Sequence, residues 1–474
     1  MKKFGTSLYG YNKQDVNIFV KEVAKEYESM LNNLKEVNDE NKRLLEQIEK
    51  YKEMQGSFNK AILVAEDASN QIKKLAKDEY RQIVDEAKKN ASRIVNEALI
   101  RADKIEFLGK ALKPLPEKFH GLEDIETIYR NRYIDLITND ESKKKFLLRS
   151  KFIRELRNFL DEKGYIEIET PILNNKASGA TAKPFITHHN ALDIDLYLRI
   201  APETYLKRAV VGGFTKVFEI ARCFRNEGMD ATHLQDFTMI EGYGAYLNYK
   251  DNMIFLQNLL QTTIEKTFGT LNITIGDKDI DLSGNWPVVS FRELLLKYSD
   301  IDINIYNTKE LLLNKIKENK IEIESETPLE NLGYGNLVDQ LYKKVARPYL
   351  VNPVFLVEHP ISLSPLARAN DENPNITDRF QLVINGAEII NAYSELVDPI
   401  EQERRLLKQA ELKAAGDEEA MCMDYDYIDA MEYGMPPISG WGMGIDRLMQ
   451  LLTNSDNIKD CILFPLMKPL NKDN

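Results

Sequence analysis

The sequence predicts an α+β domain of about 360 residues, preceded by a long α-helical coiled coil. Residues 1–106 contain no proline, and their apolar residues recur at helical spacings. Proline returns at Pro114 and Pro116, and from there strand-like apolar runs alternate with amphipathic helices and frequent glycine. Because a chain of 474 residues is longer than one ordinary core, two or three domains are expected.

The overall composition is typical of a soluble globular protein, with 43% hydrophobic residues and a net charge of −12. This charge argues against a chain whose whole surface coats nucleic acid, although it permits a local basic patch. No apolar run reaches 18 residues and the N-terminus has no apolar core segment, so neither a spanning helix nor a signal peptide is expected. Cys223, Cys422 and Cys461 are far apart, which indicates free thiols in a reducing cytoplasm.

Residues 21–106 are predicted to form the coiled coil. From Val20 to Tyr51 the apolar positions are separated by alternating steps of three and four, which places one narrow seam along a helix. Between Ile72 and Ala102 the steps become four, four and three, the eleven-residue repeat of a straighter coil. In a solitary helix so long a seam would be left in water, so we expect a partner helix and a homodimer.

Residues 1–20 read as a turn followed by the start of a helix. The stretch FGTSLYGYNKQDVNIFVKEV, and later FNKAILVAEDASNQIKKLAKDEYRQIVDEAKKNASRIVNEAL, are similar to the DivIVA family of bacterial pole and septum proteins. In that family an aromatic and a basic residue before the Gly-Tyr pair enter the membrane surface. Leu8 and Tyr9 occupy these places, so the apolar anchor is kept and the basic residue is missing, while Lys2 and Lys3 could each add ~1 kcal/mol of attraction to anionic lipid. The resemblance implies a weak membrane-surface or cell-division partner, and a cytoplasmic protein enriched at the septum or pole.

Residues 107–142 are interpreted as a linker and entry segment, and residues 143–474 as the α+β domain. Lys143 to Phe159 is predicted to be an amphipathic helix, and Gly164 to Pro171 a turn followed by a strand. The basic residues from Lys143 to Lys145 and Arg149 are expected on a solvated helix face, with contact to the acceptor end of a nucleic acid as the alternative.

A first polar constellation lies between Val217 and Glu241, where the flanks are predicted to form two apolar strands with a polar loop, Asn226 to Asp236, between them. Alternate strand residues share a face, so Arg225 and Glu227 are expected on the same side. Arginine can hold a phosphate or carboxylate with two parallel hydrogen bonds. In the same segment His233 could reach an outer phosphate and Phe237 offers a flat face to a base. The residues alone are equally compatible with an ordinary hairpin that carries a surface salt bridge.

A second constellation interrupts the strand-like run from Phe380 to Glu395 with Glu388, Asn391 and Glu395 itself. Buried carboxylates need cations, and Mg²⁺ or the ammonium group of a lysine substrate would serve. A solvated edge strand fits poorly, because the apolar pair at 389 and 390 lies between the charges.

A third segment runs from Gly440 to Arg447 and contains three glycines. Glycine lets the backbone approach a ligand closely, and Arg447 is predicted to open an apolar helix from Leu448 to Leu452. Such a stretch is also typical of dinucleotide sites and plain turns.

In this order the three segments resemble the motifs of class II aminoacyl-tRNA synthetases, with Lys143 to Pro171 as the motif that builds the dimer interface. The finer matches resemble the lysine enzyme over residues 107 to about 468: PLPEKFHGLED, RYIDLI, SGATAKPFITHHNALDIDLYLRIAPETYLKR, FRNEG, NAYSEL and DCILFP. The resemblance implies a class II synthetase-type antiparallel sheet with flanking helices. It also implies lysine activation with ATP to lysyl-adenylate and transfer of lysine to tRNA(Lys).

The resemblance gives each candidate residue a role. Arg225 and Arg447 would be the catalytic residues. The residues that would bind ATP are Arg225, Glu227, His233, Phe237, Glu388 and Arg447. The residues that would bind L-lysine are Gly179, Glu203, Arg225, Glu241, Tyr243, Asn391, Tyr393 and Glu395, with Glu395 and Tyr243 on the distal ammonium. Glu388 would hold Mg²⁺, and Gln381 stands where the family usually has a second metal-binding acid, so one metal would be held with less charge.

Three other interpretations follow from the departure at the N-terminus. The lysine enzyme normally carries a β-barrel that reads the anticodon, and here the predicted coiled coil stands in its place. The chain could therefore attach lysine to a protein acceptor such as elongation factor P. It could instead be a septum or pole scaffold with a synthetase-like domain, or a chimera of two unrelated genes.

Overall fold

The computed structural model describes residues 112–113, 115–116, 122–180, 182–325, 328–414 and 421–470. The predicted coiled coil and the DivIVA-like turn, including Leu8, Tyr9, Lys2 and Lys3, lie outside these residues. The chain divides between Leu115 and Pro116, and the elements described below belong to the unit Pro116–Asn474. Within the described residues, no helix is both long and apolar enough to cross a membrane.

The described residues form eleven α-helices and thirteen β-strands. The helices are α1 Ile125–Arg130, α2 Arg132–Thr138, α3 Asp140–Glu162, α4 Glu203–Val211, α5 Tyr249–Phe268, α6 Phe291–Ser299, α7 Lys309–Glu318, α8 Tyr334–Val345, α9 Pro399–Ala414, α10 Tyr425–Glu432 and α11 Ile445–Leu452. The strands are β1 Ile166–Glu167, β2 Leu173–Asn174, β3 Ile186–His189, β4 Ile194–Leu198, β5 Lys216–Phe224, β6 Asp236–Ala245, β7 Asn272–Ile275, β8 Lys278–Asp281, β9 Val288–Ser290, β10 Val354–Val357, β11 Arg379–Ile384, β12 Ala387–Ser394 and β13 Ile438–Gly444.

Eight strands form one large sheet in the order β1-β5-β6-β13-β12-β11-β10-β9. Pairing is antiparallel except at the two edges, where β1 pairs with β5 and β9 pairs with β10 in parallel. The strands β2-β4-β3 and β7-β8 form two small sheets. The prediction of an α+β fold with a large, mainly antiparallel sheet and flanking helices is confirmed.

The long helix α3 covers one face of this sheet. It begins where the side chain of Asn139 accepts hydrogen bonds from the backbone N–H groups of Glu141 and Ser142. Phe152, Leu156 and Phe159 recur at helical spacing and are buried in the main core together with side chains of α5 and α11. The helix predicted from Lys143 to Phe159 is thus confirmed and is longer at both ends, whereas the strand predicted after it shortens to the two residues of β1.

Alternate residues of the central strands point to opposite faces of the sheet. Ile240, Ile390 and Met443 lie in the helical core, while neighbours such as Glu241 and Asn391 face a cavity on the other side. The middle of the sheet therefore separates an apolar core from a polar cavity.

Candidate active site

The cavity over the central strands has a volume of about 260 Å³. Twelve residues singled out from the sequence line it: Gly179, Glu203, Arg225, Glu227, His233, Phe237, Glu241, Tyr243, Glu388, Asn391, Tyr393 and Arg447. Glu395 and Gln381 do not line it; they are buried directly behind it and contact Lys207 and Glu388, respectively. The fold thus brings residues that are far apart in the sequence to one place.

Arg225 follows the last residue of β5, Phe224, and is fixed by a backbone hydrogen bond of 2.8 Å from its N–H to the carbonyl of Gln235. The predicted hairpin is thus confirmed, and its loop begins at Arg225, one residue before the predicted Asn226, so that Arg225 and Glu227 both lie in the loop. The guanidinium of Arg225 lies 5.1 Å from the ring centre of Phe237, and its buried Nε has no hydrogen-bond partner in the protein. A buried donor without a partner, beside an open cavity, is available to a ligand.

His233 lies at the exposed mouth of the cavity. Its Nδ1 is 2.8 Å from Oδ2 of Asp230, which also accepts hydrogen bonds from Thr232. Although burial opposes it, these hydrogen bonds lower the pKa of the Asp230 carboxyl to about 2. An ionised Asp230 therefore orients the imidazole ring at the cavity mouth.

Arg447 lies in the first turn of α11, which begins at Ile445 rather than at the predicted Leu448. The helix begins earlier than predicted because β13 ends at Gly444 and α11 starts at the next residue, with no loop between them. Nη1 of Arg447 donates a hydrogen bond of 3.1 Å to the backbone carbonyl of Glu388. Arg225 and Arg447 thus both line one cavity, which is the arrangement that binding of phosphates requires.

The prediction that the basic residues of α3 lie on a solvated helix face is wrong for two of them, Lys145 and Arg149. Nη2 of Arg149 forms an ion pair of 2.5 Å with Asp446, a nearly fully buried residue. The other carboxylate oxygen of Asp446 accepts a hydrogen bond of 2.7 Å from the backbone N–H of Thr238. Lys145 donates to the hydroxyl of Ser455. This burial could not be predicted because the partners of these residues lie about 300 residues further along the chain, and helical periodicity indicates only contacts of the helix's own apolar face.

The hairpin of β11 and β12 places Glu388. It turns at Asn385 and Gly386, both with positive φ, and its register shifts where Val383 pairs with Glu388 but Leu382 pairs with Ile390. The extra residue at 389 is a β-bulge, which re-aims the neighbouring side chains. Ile389 and Ile390 therefore both join the core, while Glu388 and Asn391 on either side of them line the cavity.

The far end of the cavity is acidic. Glu203, Glu241 and Glu395 are buried there, with 6%, 4% and 1% of their surface exposed. Burial, together with the charge of Glu203, raises the pKa of Glu241 to about 8, although the hydroxyl of Tyr243 donates to its carboxylate at 3.0 Å. Burial also raises the pKa of Glu395 well above its ordinary value, against the attraction of Lys207. Buried carboxylates with strongly raised pKa values are typical of functional sites.

Lys207 is a site residue that the sequence analysis missed. It lies on α4, one turn after Glu203, and its ammonium forms ion pairs with both Glu203 and Glu395. Glutamate and lysine four residues apart are ordinary on a solvated helix, so the pattern did not distinguish this pair. The apolar residues around it, at 206 and 210, were the available signal of burial.

Two glycines lie in contact with the acidic end. Gly179 has φ 91°, a conformation that favours glycine, and a Cβ there would lie 3.3 Å from Cβ of Glu203. At Gly440 a Cβ would overlap the ring of Tyr243 and the carboxylate of Glu395. Asn391 is oriented from behind by Arg379, whose Nε donates to its Oδ1 at 2.8 Å. The acidic end is thus closely packed around a fixed set of polar groups.

Two family models match the chain. The model of the class II tRNA synthetases (D, K and N) matches residues 124–468, and the model of DivIVA protein matches residues 1–121. Similar curated proteins include the lysine–tRNA ligase of Pelotomaculum thermopropionicum, 50% identical over 370 residues, which are 78% of this chain and 72% of the relative. The lysine–tRNA ligase of Carboxydothermus hydrogenoformans is 49% identical over 77% of this chain and 74% of its own, and that of Campylobacter jejuni is 48% identical over 79% and 74%. The geometry and the matched residues agree, and the chain belongs to the class II tRNA synthetases of the D, K and N group.

Proposed function

We propose that the chain activates L-lysine with ATP to lysyl-adenylate and transfers the lysine to tRNA(Lys). The observation that carries this proposal is the charge of the acidic end. Within the described residues, Lys207 is the cation that forms ion pairs in this cluster of three buried carboxylates, those of Glu203, Glu241 and Glu395. The acidic end therefore holds more carboxylates than ion-paired cations, and a lysine molecule carries two ammonium groups. The curated relatives, which are lysine–tRNA ligases by name, support the same substrate.

The two ammonium groups would bind at different acids. The α-ammonium would lie against Glu203 and the backbone of Gly179, and the distal ammonium against Glu395 and Tyr243. Oε1 of Glu395 is buried and accepts no hydrogen bond from the protein, so a donor is missing there. An amino acid without a distal cation would leave this carboxylate unpaired, which is costly and would give specificity. Glu241, Asn391 and Tyr393 would complete the wall around the substrate chain.

ATP would occupy the opposite end. Arg225 lies between this end and the acidic end, where it could hold both the lysine carboxylate and the α-phosphate. Glu227 would accept from the adenine amino group and Phe237 would contact the ring, while His233 and Arg447 would hold the outer phosphates. The free Nε of Arg225 supports this placement, because an arginine beside a phosphate donates through more than one nitrogen.

Catalysis in such a site would be positioning together with positive charge. In the first step a carboxylate oxygen of lysine attacks the α-phosphorus, a C–O–P linkage forms, and the bond to the leaving pyrophosphate breaks. No side chain need remove a proton, because the attacking carboxylate is already ionised at pH 7. Arg225 and Arg447 would stabilise the negative charge that accumulates at the phosphorus. In the second step a ribose hydroxyl of tRNA attacks the carbonyl, and AMP leaves.

The residues around Glu388 fit a magnesium ion that is bound partly by the substrate. Oε2 of Glu388 accepts a hydrogen bond of 2.7 Å from the amide of Gln381, which orients the carboxylate at the cavity wall. Among the described residues, no group of three or more His, Cys, Asp and Glu side chains could hold a metal alone. Mg²⁺ commonly takes one or two carboxylates and completes its shell with phosphate oxygens and water. When bound, it would neutralise charge on the phosphates.

We also infer a cytoplasmic homodimer. Leu147 and Ile166, within the predicted dimer motif of Lys143 to Pro171, are 62% and 50% exposed, which favours a partner surface there. The proposed organisation keeps residues 1–20 as a DivIVA-like turn, 21–106 as a coiled coil, 107–142 as a linker and 143–474 as the catalytic domain. The match of residues 1–121 to DivIVA supports enrichment at the septum or pole, which deletion of residues 1–105 followed by imaging would test.

The deciding experiment is lysine-dependent ATP–pyrophosphate exchange, followed by charging of total tRNA with labelled lysine. Exchange and charging together would support the proposal. Exchange without charging would favour transfer to a protein acceptor such as elongation factor P. Absence of exchange would favour a scaffold and end the proposal.

The nearly isosteric variant Glu395→Gln tests the distal subsite. It should raise the lysine KM by about 100-fold or more, because a buried charge pair is lost, and leave the ATP KM within about twofold. Glu372→Gln, a change at an exposed loop carboxylate, is the matched control. An unchanged lysine KM in Glu395→Gln would refute the assigned role.

A further inference from the structure

Lys207 is unusual because its charge is completely buried. Its side chain has no exposed surface, and its Nζ lies 2.5 Å from Oε1 of Glu203 and forms a second ion pair with Oε2 of Glu395. Removing an ammonium from water costs several kcal/mol, which only close opposite charges can offset. The two carboxylates therefore account for the presence of this cation in the interior.

An aromatic enclosure completes the surroundings of this ammonium. The ring centres of three tyrosines lie at similar distances from Nζ: Tyr393 at 5.6 Å, Tyr427 at 5.8 Å and Tyr243 at 5.9 Å. Such distances permit attraction between the cation and each ring. Although burial opposes it, the charges of Glu203 and Glu395 raise the pKa of Lys207 well above its ordinary value. Lys207 is therefore a permanent cation in this pocket.

The two carboxylates that share this cation come from different parts of the chain. Glu203 is the first residue of the helix α4, whereas Glu395 directly follows the strand β12, so the two carboxylates are positioned by separate elements. One nitrogen thus links two separate walls of the acidic end. The hydroxyl of Tyr393, also on β12, donates to the same Oε1 of Glu203 at 2.7 Å and strengthens this link.

We propose that Lys207 is a positioning residue of the amino-acid subsite. Its ammonium is the shared counter-ion that holds the carboxylates of Glu203 and Glu395 in place, so that each can receive one ammonium group of the diamino-acid substrate. This inference rests on the proposed function. The arrangement that supports it is the division of oxygens at Glu395: Oε2 is paired with Lys207, while Oε1 is buried and has no donor. If Lys207 served only to neutralise Glu395 within the core, we would expect both oxygens of this carboxylate to have donors.

The titratable groups that face Lys207 determine how its removal would change the protonation of the acidic end. They are the carboxylates of Glu203, Glu395 and Glu241 and the hydroxyls of Tyr243, Tyr393 and Tyr427. Without the ammonium, the pKa of Glu395 would rise further, because burial already raises it and the attraction of Lys207 opposes that rise. The distal ammonium of the substrate would then lose its counter-ion until the pH rises.

The test is Lys207→Met in the full chain, with lysine and ATP KM values measured by ATP–pyrophosphate exchange between pH 6.5 and 8.5. The lysine KM should rise about 10 to 100-fold at pH 6.5, and the excess over the wild type should shrink as the pH increases. The ATP KM should stay within about twofold of the wild type. Arg208→Met, at the adjacent half-buried position of α4, is the matched control. A lysine KM that is unchanged, or raised equally at every pH, would overturn the inference.

Lys207→Gln provides a second variant that retains hydrogen-bond donors for both carboxylates but lacks the charge. Thermal unfolding of each variant identifies any that fails to fold. If folded Lys207→Gln keeps the wild-type lysine KM throughout the pH range, the charge has no positioning role. A wild-type protein without lysine-dependent exchange would instead contradict the proposed function itself, so the two failures are distinguishable.

Discussion

Arg149 forms an ion pair of 2.5 Å with Asp446, the residue that immediately precedes Arg447 in the chain. Asp446 is 2% exposed and also accepts the backbone N–H of Thr238 at 2.7 Å. One carboxylate therefore connects the long helix α3, strand β6 and the first turn of α11. The position of Arg447 in the cavity depends on a contact made by a helix that does not itself line the cavity.

We expect Arg149→Met to weaken both the fold and the nucleotide site. Breaking a buried ion pair by removing one partner costs about 3–5 kcal/mol, because the remaining charge is left uncompensated. The free energy of unfolding should fall by this amount in denaturant titration, and the ATP KM should rise while the lysine KM changes little. Arg154→Met, on the exposed face of the same helix, should change stability by less than about 0.5 kcal/mol. Equal stability of the two variants would show that the pair contributes nothing.

Glu241 should make lysine binding dependent on pH. Its pKa of about 8 means that the carboxyl is largely protonated at pH 6.5 and ionises as the pH rises. The lysine KM should therefore fall between pH 6.5 and 8.5, and Glu241→Gln should reduce this dependence. The ATP KM serves as an internal control. A wild-type lysine KM that is constant over this range would contradict the assignment.

The same raised pKa has a consequence for stability with the opposite sign. In the unfolded chain Glu241 loses its proton near pH 4.5, whereas in the folded protein it keeps the proton up to about pH 8. Its contribution to stability is therefore complete at low pH and is lost as the pH rises through this window. Glu241→Gln should raise the midpoint of thermal unfolding at pH 8.5 relative to the wild type, and the gain should vanish near pH 4.5. A midpoint lowered equally at all pH values would count against this explanation.

Gln381→Glu should increase the affinity for Mg²⁺. The amide of Gln381 now donates to Glu388, and a carboxylate there would add a second negative ligand beside the first. The Mg²⁺ concentration that gives half-maximal pyrophosphate exchange should fall several-fold, and stability in the absence of metal should decrease because the two acids repel each other. Gln409→Glu, on α9, controls for the added charge. An unchanged Mg²⁺ requirement would indicate that Gln381 takes no part in metal binding.

Gly440→Ala should damage the distal subsite. The added Cβ would overlap the Tyr243 ring and the Glu395 carboxylate, and both lie in a fully packed region that cannot easily give way. We expect a rise of at least about tenfold in the lysine KM and a loss of about 1–3 kcal/mol of stability. Gly333→Ala, where no heavy atom lies within 4 Å of the added carbon, is the control. Wild-type kinetics in Gly440→Ala would contradict the close packing.

Local patterns were enough to predict the fold class, whereas most of the cavity residues were predicted from the resemblance to the class II synthetases. Alternating apolar residues marked β5, β6 and β12, and charges that interrupted them marked residues such as Glu388 and Asn391. Residues that depend on distant partners could not be predicted in this way. Lys207 and Arg149 both looked like solvated helix residues, and only the folded chain brings Glu395 and Asp446 to them. The direction of the Glu388 side chain depends on a one-residue β-bulge at position 389, and the period of two in a strand does not predict such a bulge.

The place of β13 constrains how the protein can be made. It is the last of the described strands in sequence, yet it lies between β6 and β12 and joins the two halves of the large sheet. On a ribosome, the two halves can be joined only after residues 438–444 have left the exit tunnel. Pairings over such long sequence separations close slowly. Because β6 is synthesised long before β13, one of its edges stays unpaired in that interval, when chaperone binding would protect it from aggregation.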